Sequence, residues 1–532
     1  MAQGDPQFDV AIVGAGFSGL YLLHRLRKLG LSAQIWEAGS GVGGTWYWNR
    51  YPGARCDIES VQYSFQFDED LQQDWNWSER YASQPEILTY AEHVAERFGL
   101  LDGITFDRLV KSARFDSKRK FWTLTAETGE TLQAQFCVMA TGCLSKPNWP
   151  VIDGWDDFAG DIYHTASWPH DGVDLTDKRV AVIGTGSSGI QSIPRIAEQA
   201  AHLTVFQRTA NYSVPAQNRS LDSQERDRLK AEYPDIRARA RKTLGWIDGR
   251  YNPGSALEVP PEERNAEFER RWQEGGLTFS GSYGDFMLNK AANDLLAGFV
   301  HGKIRETVND PQTAEMLCPT NIIGAKRLCV DIGYYQTFNR DNVDLIDLRV
   351  NPINRITSQG LSVDGQEHEV DVIVVATGFD AMTGALNQIE IHGRNDAVLG
   401  QKWQNGPSSY LGLAMAEFPN LFTITGPGSP SVLSNMLPSI EHHVEWVSDC
   451  IAHVRQSGHS TIEPTAQAEQ AWWDHVQQVG RTGLKQSTDS WYTGANIEGK
   501  PRVFMPYLGG CPAYAGKCAE VVAGGYEGFT IE

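Results

Sequence analysis

An apolar strand that runs straight into a glycine turn and then a helix occurs twice in this 532-residue chain. The first copy begins with Phe8 to Val13 (FDVAIV), followed at once by Gly14-Ala15-Gly16-Phe17-Ser18-Gly19. Leu20, Leu23, Leu26 and Leu29 then recur at helical spacing, and Gly30 stops the helix. A second strand, Ala33 to Trp36, ends at Glu37. Strand, GxGxxG, helix, strand and acid together describe a dinucleotide-binding unit. Gly14 permits the tight turn, Gly16 lets a pyrophosphate reach the backbone, and Gly19 lets helix and strand pack closely. The helix N-terminus offers unpaired N–H groups, and Glu37 is placed to accept hydrogen bonds from ribose hydroxyls.

The second copy is Arg179 to Ile183 (RVAVI), then Gly184-Thr185-Gly186-Ser187-Ser188-Gly189 and a helical segment. Its next strand, Leu203 to Phe206, ends at Gln207-Arg208-Thr209, so the acid is missing and Arg208 stands near its place. A carboxylate there would repel a ribose 2′-phosphate, whereas a guanidinium grips one in a fork. The acid-ended unit is therefore expected to hold FAD and the arginine-ended unit NADPH. Two further apolar strands, Cys137 to Gly142 (CVMATG) and Val372 to Asp380 (VIVVATGFD), each end in Ala-Thr-Gly. By resemblance to flavoproteins with two dinucleotides, they close the sheets where the chain crosses between domains.

The length suggests two or three domains, and 41% hydrophobic with 21% charged residues is ordinary for a globular chain. A formal charge of −20 argues against a general nucleic-acid partner. It also means that any phosphate must be held by local charge. Most of the 16 Trp are expected in cores. Neither a signal peptide nor a membrane-spanning run is expected. The eight cysteines, Cys56, Cys137, Cys143, Cys318, Cys329, Cys450, Cys511 and Cys518, form no CxxC pair and read as reduced thiols of a cytoplasmic enzyme without a metal.

Phe158 to Pro169 (FAGDIYHTASWP) resembles the FxGxxxHxxxWP fingerprint of type I Baeyer–Villiger monooxygenases, and Gly43 to Asp57 (GGTWYWNRYPGARCD) resembles the family's second signature. The resemblance runs over nearly the whole chain and is strongest to the phenylacetone and steroid monooxygenase branch. It implies that NADPH reduces the flavin, that O2 adds to flavin C4a, and that the resulting peroxide attacks a ketone to yield an ester or lactone. In such chemistry the cofactor carries the hard step, and the protein supplies positive charge and hydrogen bonds in a site that excludes water.

By the same resemblance, Arg327 in Gly324-Ala325-Lys326-Arg327-Leu328 is the catalytic arginine, and Asp57 pairs with it and orients it. Lys326 meets the NADP phosphate or ribose, and Trp491 holds the bound NADP. Gly44, Thr45, Trp46, Tyr63, Val110 and Met436 are expected at the FAD site. Without the flanking matches, Arg327 and Asp57 would read as an ordinary ion pair. His164 titrates in a range that suits a general base, but its place between the two units favours a structural or domain-coupling role. His442 and His443, adjacent on a helical stretch, are expected to have no function.

The resulting expectation is an α/β protein with two Rossmann-like domains. Residues 1–150 and 381–532 would form the FAD domain, 151–220 and 325–380 the NADPH domain, and 221–324 a helical insertion in the latter. The loop from Gly426 to Met436 resembles the family loop over flavin and substrate, which points to Ser431, Val432 and Leu433 as pocket residues, with Val432 tuning selectivity. The substrates are then a small ketone and O2, and the enzyme is expected as a monomer or weak homo-oligomer. Three other readings compete. An N- or S-hydroxylating flavin monooxygenase is disfavoured by Trp168-Pro169 and Arg327, a disulfide reductase by the absent CxxC, and a non-catalytic NADPH sensor by the presence of Asp57 and Arg327.

Overall fold

A computed structural model describes residues 6–532 and arranges them around two sheets. The first sheet takes Phe8–Val13 (β1), Ala33–Trp36 (β2), Ile104–Thr105 (β3), Val110–Asp116 (β4), Phe121–Ala126 (β5) and Thr131–Met139 (β6). The second takes Asp161–His164 (β7), Arg179–Ile183 (β8), His202–Gln207 (β9), Val343–Asp347 (β10) and Val372–Val375 (β11). The chain then returns to the first sheet with Glu390–His392 (β12) and Leu421–Thr423 (β13). The first sheet has the order β12-β4-β5-β6-β1-β2-β3, with β13 pairing the latter half of β6 in parallel. The second sheet, β10-β9-β8-β11-β7, is parallel throughout.

The helix after each glycine turn packs on its own sheet. Helix α1 (Phe17–Lys28) buries Leu20, Leu23 and Leu26. These meet Val444, Val447 and Ile451 of a long helix near the C-terminus, Met436–Gln456, in one core. Each such fully buried aliphatic side chain contributes roughly 2 kcal/mol. Helix α2 (Ser187–Gln199) buries Ile190, Ile193 and Ile196, which share a second core with Val180 and Val182 of β8.

Both glycine turns are built alike. Val13 is level with Met139, so the Ala140-Thr141-Gly142 segment runs beside Gly14. Ile183 is level with Val375, so Ala376-Thr377-Gly378 runs beside Gly184. A Cβ on Gly14 would lie 2.6 Å from Ala140 O and one on Gly184 would lie 2.6 Å from Ala376 O, and both glycines have positive φ (+106° and +109°). The recurrence of Ala-Thr-Gly thus has a steric cause: it is the neighbouring strand end that each turn presses against.

Residues 221–324 contain only helices as regular elements: α3 (Ser223–Ala240), α4 (Pro261–Glu274), α5 (Lys290–Thr307), α6 (Pro311–Leu317) and a short 3-10 turn. They do not pack as one unit. Phe268 of α4 and Leu296 and Val300 of α5 join the core of the second sheet, whereas Tyr233 of α3 joins the core of the first. Arg237 of α3 donates to Gln62 O (3.2 Å) and Ser64 Oγ (2.8 Å), fastening that helix to the first body. All eight cysteines are free and buried. Among the described residues no helix is long and apolar enough to cross a membrane.

Candidate active site

The strand ends that carry the two glycine turns open onto one cleft of about 1790 Å³. Ligands of parallel α/β sheets bind outside the carboxyl ends of the strands, so this is where dinucleotides would lie. At one end the cleft is lined by Gly14, Gly16, Glu37, Gly44, Thr45, Trp46, Tyr63 and Val110. Gly184, Thr185, Gly186, Ser187, Ser188, Arg208 and Thr209 line the other, and Asp57, Lys326, Arg327, Val432, Met436 and Trp491 are also in its wall. Gly19 and Gly189 do not line it. A Cβ on either would strike the carbonyl of Gly14 (2.0 Å) or Gly184 (2.3 Å), so their part is to let helix meet strand.

The glycine turns fit the groups expected on them. Gly16 and Gly44 face each other closely enough that a Cβ on Gly44 would sit 2.9 Å from the Gly16 Cα. At Gly186 a Cβ would meet nothing within 4 Å, so bare backbone at the head of α2 faces open space of the cleft. Glu37 is buried; its Oε2 accepts from Ala15 N–H (2.7 Å) and its Oε1 from Gly39 N–H (2.8 Å). Burial raises its pKa against the pull of those N–H groups. Two backbone donors thereby fix the carboxylate at the lip of the first turn, with acceptor capacity left for ribose hydroxyls.

At the other end, Arg208 is exposed into the cleft, and Lys326 is half-buried beside it. Burial, and then the Arg208 charge, lower the Lys326 pKa, with Asp489 opposing. Two cations held close in a strongly acidic protein make a local anion site.

Arg327 and Asp57 meet across 270 residues. Arg327 Nε donates to Asp57 Oδ2 (2.5 Å) and a terminal nitrogen donates to Oδ1 (2.8 Å), a planar two-pronged pair. The other terminal nitrogen donates to Val432 O (2.7 Å). Burial disfavours the guanidinium charge, but Asp57 outweighs it and holds the pKa above its ordinary value. Both side chains remain 23% exposed, toward the cleft they line. A guanidinium has five N–H donors. Three are used here, which leaves two.

The loop expected to face the substrate is arranged differently from the sequence reading. Ser431–Leu433 forms a 3-10 turn with Ser431 at φ +41°. That turn leaves only Val432 of the three on the cleft. Ser431 is fully buried with its hydroxyl 3.8 Å from Met382 Sδ, and Leu433 packs into a small apolar cluster with Cys143, Tyr492 and Phe504. Ser434, a later residue of the same Gly426–Met436 loop, also lines the cleft.

His164 lies at the end of β7, is 2% exposed and does not line the cleft. Its Nδ1 accepts from Ala166 N–H (3.0 Å) and its Nε2 faces Asn148 O (3.4 Å). Burial lowers its pKa, opposed by the Asn148 carbonyl. His442 and His443 are likewise off the cleft lining, in the helix after Met436.

Sequence reasoning missed contacts that join the two bodies. Tyr51 donates to Gln191 Oε1 (2.8 Å), and Gln191 donates to Arg55 O (3.0 Å), linking α2 to the loop that carries Asp57. Asn148 N donates to Gly378 O (2.9 Å), and Thr377 Oγ1 donates to Asn148 O (2.5 Å), pinning one crossover on the other. No motif in the sequence marked these pairs, although Thr377 and Gly378 belong to one of the Ala-Thr-Gly segments.

Known proteins resemble this chain along nearly its whole length. A family model described as pyridine nucleotide-disulphide oxidoreductase matches residues 11–248, a stretch that includes both glycine turns. The phenazine N-monooxygenase PhzNO1 of Lysobacter antibioticus is 42% identical over 98% of this chain and 97% of its own. A Baeyer–Villiger monooxygenase of Pseudooceanicola batsensis is 40% identical over 98% of this chain and 95% of its own. The structure of an oxidized steroid monooxygenase bound to NADP superposes with a TM-score of 0.94 at 52% identity, covering 98% of this chain and 99% of that one. With similarity of this depth along the full length, the chain belongs to the type I Baeyer–Villiger monooxygenases, two-dinucleotide α/β enzymes that work with FAD and NADPH.

Proposed function

We propose that this chain oxidises an apolar ketone: ketone, O2, NADPH and a proton become an ester or lactone, NADP+ and water. The observation that carries the reading is the Arg327 guanidinium, fixed by Asp57 and Val432 O and left with two free donors on a cleft built for two dinucleotides. Gly14, Gly16, Glu37, Gly44, Thr45, Trp46, Tyr63, Val110 and Met436 would hold FAD. Gly184 to Ser188, Arg208, Thr209, Lys326 and Trp491 would hold NADPH, in a domain made of residues 151–220 and 325–380. Bound and reduced, FAD supplies the oxygen-activating chemistry.

The residues of the chain do the rest. Arg327 stays charged at any working pH, so it meets negative charge developing on the substrate oxygen without a proton transfer of its own. Asp57 holds the fork in one orientation, which avoids reorganisation during the reaction. Val432, Met436 and Ile440 give that wall an apolar surface that excludes water and receives the ketone's hydrocarbon flanks. Buried free thiols support a reducing, cytoplasmic setting, and we take the working unit to be a monomer or weak homo-oligomer.

A second reading is N-oxygenation of an aromatic heterocycle, favoured by the 42% identity to a phenazine N-monooxygenase. One experiment separates the two. Purified protein with FAD, NADPH and O2 is offered aryl, cyclic, steroid and linear ketones alongside phenazine, and products are read by mass spectrometry. Ester from a ketone supports the first reading; N-oxide with no ester from any ketone replaces it with the second.

A further inference from the structure

Lys485 is a half-buried cation that the assigned machinery does not use. It stands six residues before Trp491, on the segment that forms one wall of the cleft. Its Nζ donates to Gly324 O (2.5 Å), at the head of the turn Gly324-Ala325-Lys326-Arg327 that forms another wall. The same ammonium lies 5.6 Å from the centroid of the Tyr492 ring. The preceding residue is tied too: Leu484 N donates to Met287 O (2.9 Å). A Cβ on Gly324 would lie 2.9 Å from Met287 Sδ, so these three strands of chain meet at one point.

An ammonium in this place is disfavoured. Burial and then the Arg327 charge push its pKa down to about 8, with no carboxylate offsetting them. The compensation it receives is the Gly324 carbonyl and the face of Tyr492, one on each wall. A methionine could fill the same volume without the charge, but it could not join the walls.

We propose that Lys485 is a positioning residue that clamps the Trp491-bearing segment onto the Lys326–Arg327 turn, so that the two walls hold bound NADP together. The clamp rests on the reading of Trp491 and Lys326 as NADP contacts.

The test uses the FAD-loaded enzyme. NADP+ is titrated to equilibrium by the change in flavin absorbance, and proteolytic nicking between residues 482 and 502 is followed with and without NADP+. Replacing a charge-assisted hydrogen bond should weaken binding ~10-fold. K485M is therefore expected to raise the NADP+ Kd and the NADPH KM ~10-fold with unchanged FAD content, and to lose NADP+ protection of the segment. K485R, which keeps a charged donor, should return within ~3-fold of the parent. An unchanged Kd in K485M, or equal weakening in K485M and K485R, overturns the clamp. Should K485M fail to fold, K485Q is titrated against the same two outcomes. W491A separates the underlying reading: if it binds NADP+ as the parent does, the assignment of Trp491 is wrong whatever Lys485 does. If W491A weakens binding and K485M does not, the clamp alone is wrong.

Discussion

Replacing Arg327 by alanine removes three hydrogen bonds within the protein and two further N–H donors from the wall of the cleft. Losing one preorganised donor to a developing oxyanion typically costs 10²–10³ in rate, or about 3–4 kcal/mol of barrier. The substitution also strands the Asp57 carboxylate. Breaking a fully buried pair costs about 3–5 kcal/mol, and because both partners are 23% exposed the loss here is discounted to about 1–3 kcal/mol of stability. The two effects are separable: ester formation by gas chromatography reads the first, and thermal unfolding of the FAD-loaded enzyme reads the second. R327A is predicted to make ester at least ~100-fold more slowly while unfolding only a few degrees lower. R327K keeps the charge but not the fork, so it cannot reach both Asp57 oxygens and Val432 O together. Its ester formation should fall ~10-fold or more. Ester formation by R327A within ~3-fold of the parent would refute the reasoning. So would loss of NADPH binding as the sole defect, because Arg327 would then hold the dinucleotide rather than meet the substrate.

Three other perturbations probe the cleft and its support. R208A should raise the NADPH KM by ~10-fold or more and leave the NADH KM unchanged in steady-state assays; an equal effect on both would remove the 2′-phosphate role. G186A should weaken NADPH with little change in melting temperature, because its Cβ enters open space. G184A should lower the melting temperature, because its Cβ strikes Ala376 O at positive φ, costing about 1–3 kcal/mol. Glu441 gives a pH test. Its Oε1 accepts from the backbone of Gln66 (2.5 Å) and Phe67 (3.0 Å), and burial, opposed by those N–H groups and Arg237, pushes its pKa from 4.5 up to about 7. The folded state therefore holds this proton more tightly than the unfolded chain does. That contribution is full below pH 4.5, is lost as pH rises to 7, and is absent above. Relative to the parent, E441Q should gain on the order of 3 kcal/mol between pH 4.5 and 7 in urea unfolding; a pH-independent difference would contradict it.

What the sequence made legible was local. Phe8–Val13 and Arg179–Ile183 are strands as expected, because each is an apolar run that a glycine turn terminates, and Ala33–Trp36 is the expected strand that ends at Glu37. Contacts between distant segments have no such signature. Asp57 and Arg327 are 270 residues apart, Asn148 and Thr377 229, and Tyr51 and Gln191 140. The first pair was foreseen through family resemblance and the other two not at all. The turn at Ser431–Leu433 was hidden for another reason: a positive φ at a serine re-aims its neighbours, and composition does not signal it. The division of residues 221–324 between two cores was hidden because a helix's own sequence shows which face is apolar but not which sheet that face meets.

The most direct test of the account follows oxygen itself. The FAD-loaded enzyme is given NADPH, a ketone that it accepts and ¹⁸O2 in unlabelled water. The account predicts an ester or lactone carrying one ¹⁸O, formed one for one with NADPH consumed. NADPH oxidation that yields only hydrogen peroxide with every ketone, or an ester whose new oxygen comes from water, would contradict it.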